Sequence, residues 1–253
     1  MSENRERCDV GLKKQQGIQS VKFEEPPIIC AAASVVGQKE GDGPFGDVFD
    51  QIESDPKVGG DTWEDAEGRL QERAAELAIQ KAGCGKEAIR YIVAGDLLGQ
   101  LMASSFGLAG FDKPLFGVYG ACSTMGESIG IGSMLVEGGF ADYVLAMTSS
   151  HFASAEKQFR FPLGYANQRP KASTWTVTGS GAVVICKGDQ KQGMAKITGI
   201  TTGKIVDYGV KDTMNMGACM APAAASVVAA HFKDFGTDPS EYDQIITGDL
   251  GMV

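Results

Sequence analysis

Two stretches of this 253-residue chain repeat one another at a constant offset of 153. Gly83 matches Gly236, Ile92 matches Ile245, and Gly95-Asp96-Leu97 matches Gly248-Asp249-Leu250. Each stretch reads as a helix end, a glycine stop, an apolar strand and then Gly-Asp-Leu. A shared order of elements at a fixed offset points to a duplicated βαβ unit. That confines the chain to an α/β fold built from two related halves. The chain ends at Val253, three residues past Leu250. The second half is therefore expected to be incomplete, lacking its last strands and any site residues on them.

Hydrophobic periodicity supplies the rest of the outline. Residues 1–27 are polar and close on Pro26-Pro27, as a leader or edge segment would. Residues 28–36 are an unbroken run rich in Ala, Ile and Val, the pattern of a buried strand. Residues 37–67 are rich in glycine and acids and read as loop. Leu70, Ala74, Leu77 and Ala78 share one face of a helix over 66–82, stopped by Gly83. Further strands are expected at 90–94, 114–119, 142–148, 179–186, 195–205 and 243–247, and helices at 97–109, 122–137 and 221–235. Residues 149–176 read as a long irregular stretch. The expected division is a polar segment 1–27, a first half 28–190 and a partial second half 191–253.

Composition excludes several classes. The net charge is −9 and the pI about 4.8, which argues against a general nucleic-acid surface or adhesion to anionic lipid. The first residues show no signal-peptide apolar region, and no stretch approaches ~20 consecutive apolar residues. Cysteines 8, 30, 84, 122, 186 and 219 are scattered without paired spacing, which suits reduced thiols in a cytoplasmic setting. With two histidines, His151 and His231, no metal site is expected. The acidic residues from Asp47 to Asp65 lack the spacing of a calcium loop and read as a solvated loop.

The chemistry concentrates in Lys113-Pro-Leu-Phe-Gly-Val-Tyr-Gly-Ala-Cys-Ser-Thr-Met-Gly-Glu-Ser128. An apolar run ends in a glycine turn, Cys122 follows, and small residues then recur at helical spacing. Cys122 is thus expected where a buried strand turns into a helix, facing a cleft. The N–H groups and dipole of a helix start lower a thiol pKa and attract anions. Such a cysteine is either a nucleophile or pocket wall, or a small apolar residue filling a tight turn.

Two βαβ-rich halves with a cysteine at this turn resemble the thiolase superfamily. Within it the chain is most similar to the stage V sporulation protein AD (SpoVAD) family of endospore-forming bacteria. The resemblance rests on Gly117 to Ser128, Phe161-Pro-Leu-Gly-Tyr-Ala-Asn-Gln-Arg-Pro170, Thr174-Trp-Thr-Val-Thr-Gly-Ser-Gly-Ala182, Met214-Asn-Met-Gly217 with Met220-Ala-Pro222, and Thr247-Gly-Asp-Leu-Gly251. It covers about 26–253. It implies a thiolase-like fold with five-layer αβαβα packing. It also implies binding of dipicolinic acid, free or as its calcium chelate, and its loading into the forespore alongside the SpoVA membrane channel proteins. No cofactor is implied beyond calcium carried by that chelate. By the family's motif Cys122 lines the ligand pocket, and a homodimer pairs across the strand before it. The alternative is an acyltransferase like the thiolases and ketoacyl synthases, with Cys122 as nucleophile.

Dipicolinate is a flat pyridine with two carboxylates, so its site needs N–H donors, a cation or calcium, and a flat wall. Ser123 and Thr124 begin the helix that offers donors. Arg160, Arg169 and Lys171 are the nearest cations to the specific motif, and each reads equally as a surface charge. Trp175 or Phe161 is placed to stack on the ring, although a buried tryptophan is more often core. Ser149, Ser150 and His151 follow a strand end, where functional residues gather in α/β sheets. Turn capping and a hydrogen-bonded structural histidine are the other readings there. His231 is assigned no role.

Overall fold

The structure is a computed structural model that describes residues 14–159, 175–188, 193–212 and 215–251. In chain order the elements begin β1 (Gln15–Gln16), β2 (Ser20–Lys22), β3 (Ile28–Gly37), α1 (Gln38–Gly41), β4 (Gln51–Glu53) and α2 (Trp63–Ala82). They continue with β5 (Ile89–Gly95), α3 (Met102–Gly107), β6 (Leu115–Gly117), α4 (Thr124–Glu137), β7 (Tyr143–Ser150) and α5 (Phe152–Phe159). The last are β8 (Gly179–Cys186), β9 (Ala195–Lys196), β10 (Gly199–Thr201) and α6 (Gly217–Phe235).

A mixed sheet runs β4-β3-β8-β7-β5-β6, with β9 beside β3. β5 is parallel to both β6 and β7, whereas β8 is antiparallel to β3 and β7. Its central strands are covered on both faces, which is why β3 and β8 read as continuous apolar runs. On one face α2 sets Leu70, Ala74 and Ala78 against Val35, Ile92, Leu145 and Val184. On the other, Val136 of α4 packs with Val93, Val144, Val183 and Ile185. Each large side chain so buried contributes roughly 1.5–3 kcal/mol of transfer free energy.

Beyond α4 lies a second, antiparallel sheet, β1-β2-β10. Ile200 of β10 sits over Gly130, where a Cβ would meet it at 3.4 Å. Helix α6 packs on β2 and β10, and Asp234 accepts the Ile18 and Gln19 N–H groups and the Ser20 hydroxyl. The order α2, large sheet, α4, small sheet, α6 is the expected αβαβα layering.

Some elements depart from the periodicity. Residues 152–159 form a helix inside the stretch expected to be irregular. The expected helix over 97–109 breaks into short pieces because Gln100 and Leu101 adopt positive φ, 61° and 55°. The strand expected at 195–205 shrinks to β9 and β10, and that at 114–119 to β6. The strand expected at 243–247 does not form: among the described residues no strand pairs with it. Strand structure needs a hydrogen-bonding neighbour as well as apolar residues. Among the described residues no helix is long and apolar enough to cross a membrane.

Candidate functional site

The parallel strands β5, β6 and β7 all end at one edge of the large sheet, where Gly95, Gly117 and Ser150 stand. β6 stays beside β5 until the Val118 N–H donates to the Ala94 carbonyl at 2.9 Å. The chain then turns through a short 3-10 helix, Ala121–Ser123, into α4. Gly95 permits this corner: a Cβ there would lie 1.9 Å from the Val118 carbonyl oxygen and 2.7 Å from a Thr124 methyl. Ala121 holds a φ of 50°, a strained value for a residue with a side chain.

Cys122 stands on the corner and is exposed. Partial desolvation nevertheless pushes its thiol pKa up, against the opposing effect of its own backbone N–H. The sequence led to the opposite expectation. Desolvation outweighs the helix start here, and the first turn of α4 already holds the Glu127 carboxylate. The Ser123 hydroxyl reaches that carboxylate and the Gly120 carbonyl, the latter at 2.8 Å. Thr124 is 1% exposed, and its hydroxyl accepts the Gly120 N–H at 3.3 Å.

The other expected site residues sit deeper along the same edge. Ser149 is buried, donating to Glu67 at 2.9 Å and accepting from the Gln71 amide at 2.7 Å. Ser150 donates to the Val177 carbonyl at 2.6 Å. His151 is buried, and its Nδ1 accepts the Ala153 N–H at 3.1 Å. The proton therefore sits on Nε2, which donates to the Pro56 carbonyl at 2.8 Å. Burial pushes the His151 pKa down, and the ring leans on Trp63 with centroids 5.5 Å apart. The Trp175 ring is stacked on Phe152 at 4.3 Å, with the Lys39 ammonium 3.7 Å from its centroid. The Trp175 ring is thus already engaged, although the residue is 43% exposed. Thr124 lies against Gly95, whose carbonyl accepts from Thr148 and Gln71, and Gln71 in turn reaches Ser149. His151 instead bonds the loop at Pro56, and Trp175 packs against Lys39 of α1. Arg160, Phe161, Arg169 and Lys171 lie outside the described residues.

Beneath the corner runs a buried polar chain. Gln71 donates to Ser149 and, at 2.9 Å, to Ser104, and Ser104 donates to Asp96 at 2.6 Å. Asp96 also accepts the N–H groups of Ser104 and Leu98, both at 2.8 Å. Glu67 accepts from Ser149 and from Ser154, the latter at 2.6 Å. Desolvation raises the Glu67 pKa to about 7, although its hydroxyl donors pull the other way. The sequence reading missed this chain, yet it held a signal: Glu67 and Gln71 interrupt the helical stripe of Leu70, Ala74 and Ala78.

Two cavities lie away from the corner, and Cys122 lines neither. One of about 480 Å³ is bounded by Ile92, Leu108, Lys113 and Leu115. The other, about 270 Å³, lies between α6 and residues 242–245. Among the described residues no group of three or more His, Cys, Asp or Glu side chains converges to hold a metal ion.

Comparison with known proteins adds to this geometry. The sequence profile of the family described as Stage V sporulation protein AD (SpoVAD) matches residues 17–253. The Bacillus subtilis (strain 168) protein described as stage V sporulation protein AD is 44% identical over 240 residues, covering 95% of this chain and 70% of its own length. Among solved structures, 3-oxoacyl-(acyl carrier protein) synthase III, FabH, from Pseudomonas aeruginosa PAO1 aligns with TM-score 0.53 at 16% identity, over 85% of this chain and 73% of that one. A point variant of Xanthomonas campestris OleA aligns with TM-score 0.54 at 15% identity, over 94% and 78%. At such identities the two structures speak for the fold alone.

Proposed function

The chain belongs to the stage V sporulation protein AD family, and from that premise we propose that it serves sporulation by binding dipicolinic acid or its calcium chelate at the Cys122 corner, without turning it over. The observation that carries this reading is the family match over residues 17–253, which takes in the Cys122 corner. The chain has two histidines, and both are engaged away from Cys122. His151 holds Pro56 and Ala153, and His231 bonds Thr201 through Nδ1 (2.8 Å) and Tyr242 through Nε2 (2.7 Å). Within this chain neither imidazole is bonded to Cys122, and desolvation pushes its thiol pKa up.

In this reading Cys122 and Ser123 form the exposed wall, Thr124 and Ser149 support it from below, and Arg160 and Arg169 are the cations offered to the carboxylates. His151 and Trp175 brace the rim. Glu127 sets the charge preference. A carboxylate in the first turn of α4 repels a free dianion, and the net charge of −9 opposes it at long range. The neutral 1:1 calcium chelate avoids both penalties. The protein would act beside the SpoVA membrane proteins at the forespore, with β6 as its dimer edge. Leu115, Phe116 and Tyr119 are exposed along that edge, an apolar strand of the kind that pairs with a second copy.

A second reading, acyl transfer through Cys122, draws on the strained, exposed strand-to-helix corner. One experiment separates them: calorimetric titration of the chain with dipicolinate, with and without calcium, beside mass analysis after exposure to an acyl thioester. The binding reading expects saturable binding that tightens with calcium, a smaller calcium effect in Glu127→Gln, and an unmodified thiol. Acylated Cys122 with no heat of binding would reverse the order of the two readings.

A further inference from the structure

Glu67 of α2 is fully buried, and among the described residues no cation is bonded to it. The charged groups around it are mostly of its own sign. Glu64 on the same helix is held by Lys157 of α5. Asp96, at the end of β5, is joined to it through Ser104, Gln71 and Ser149. Glu156 of α5 is buried and accepts from Thr176, while the His151 ring is turned to Pro56. α3, β3 and β8 bring no charged side chain.

The hydrogen bonds at Glu67 accommodate two protonation states without moving a heavy atom. With Gln71 donating to its oxygen, the Ser149 hydroxyl points to Glu67 Oε1. The Ser154 hydroxyl has two acceptors in reach, Glu67 Oε2 at 2.6 Å and the His151 carbonyl at 3.0 Å. When Glu67 is ionised, Ser154 donates to Oε2. When Oε2 carries a proton from solvent, that O–H donates to Ser154 Oγ, and the Ser154 hydrogen turns to the His151 carbonyl. Every donor keeps an acceptor in both states, as buried polar groups require.

We propose that Glu67 is a proton-binding latch between α2 and α5, with the Ser154 hydroxyl as its moving part. Desolvation, abetted by the charges of Asp96 and Glu64, places its titration at about pH 7. The latch stands independently of any ligand at Cys122.

The test is infrared titration of the whole chain between about pH 8 and pH 6, above the range of ordinary carboxyls near 4. A protonated-carboxyl band should grow in this window and be absent in Glu67→Gln. Ser154→Ala should move its midpoint up by about one pH unit, because the ionised form loses a charge-assisted bond where the neutral form loses an ordinary one. No band in the window, or a band that persists in Glu67→Gln, overturns the assignment. An unmoved midpoint in Ser154→Ala, which decides the matter if Glu67→Gln fails to fold, overturns the latch.

Discussion

The two copies of the repeat share their local structure and part company in tertiary structure. Helices α2 and α6 both end on a glycine in the left-handed region, Gly83 at φ 58° and Gly236 at 67°. Short 3-10 helices follow at matched positions, Lys86–Ala88 and Pro239–Glu241. Asp96 accepts the N–H of Leu98, and Asp249 accepts that of Gly251, the same turn 153 residues on. Between these landmarks the first copy forms β5, set between β6 and β7. The second copy forms no strand among the described residues. Ile92 is 1% exposed where its counterpart Ile245 is 51% exposed. Caps and turns follow from the residues that make them; a strand is a property of its neighbours. The helices also differ: Glu67 and Gln71 of α2 correspond to Met220 and Ala224 of α6, so the buried polar chain belongs to the first copy.

The comparison is easiest to break at the isoleucines. Ile92→Ala empties a site between α2 and the sheet and should cost about 2–5 kcal/mol in denaturant unfolding. Ile245→Ala should stay within about 0.5 kcal/mol. Equal losses would mean that 243–247 is buried as a strand after all.

The next effect depends on pH. The folded-state pKa of Glu67, about 7, lies above its ordinary value of 4.5. A proton there favours the folded chain, so stability is fully present below about pH 4.5 and is lost as pH rises through 7. The shift corresponds to about 3 kcal/mol at most. Glu67→Gln, which imitates the protonated form, should be more stable than the parent at about pH 8 and nearly equal to it below about pH 5. Urea unfolding at the two pH values checks this, and Met220→Gln in the second copy should show no such dependence.

The smallest effect probes what the copies share. Gly83→Ala and Gly236→Ala each force a side chain into the left-handed region and should each cost about 1–2 kcal/mol. A loss at Gly83 alone, read by circular dichroism melting, would show that the second cap is not in place.

How much of this was legible in the sequence follows the same division. β3 and β8 announce themselves as unbroken apolar runs, α4 by its small residues, and the helix stops by Gly83 and Gly236. The Cys122 corner was readable because Gly95, Gly117 and Gly120 leave room for it. What was not readable depends on contacts across the chain. α5 is short and docks through Lys157 on Glu64 and Ser154 on Glu67, partners about ninety residues upstream. The strand at 243–247 had the right residues and found no edge. Glu67 fell at the edge of the stretch 37–67 read as loop, and α5, whose Ser154 bonds it, was not visible in the sequence. The thiol pKa of Cys122 went the other way because desolvation depends on packing that no local motif reports.

The central claim is that Cys122 lines a binding corner and is not activated. The most direct measurement is its alkylation rate against pH, resolved from the other thiols by mass spectrometry, with and without calcium dipicolinate. The account predicts an apparent pKa above the ordinary thiol value of about 8.5 and slower alkylation when the chelate is present. A midpoint below about 7, with a rate indifferent to the chelate, would contradict it and point to a nucleophile.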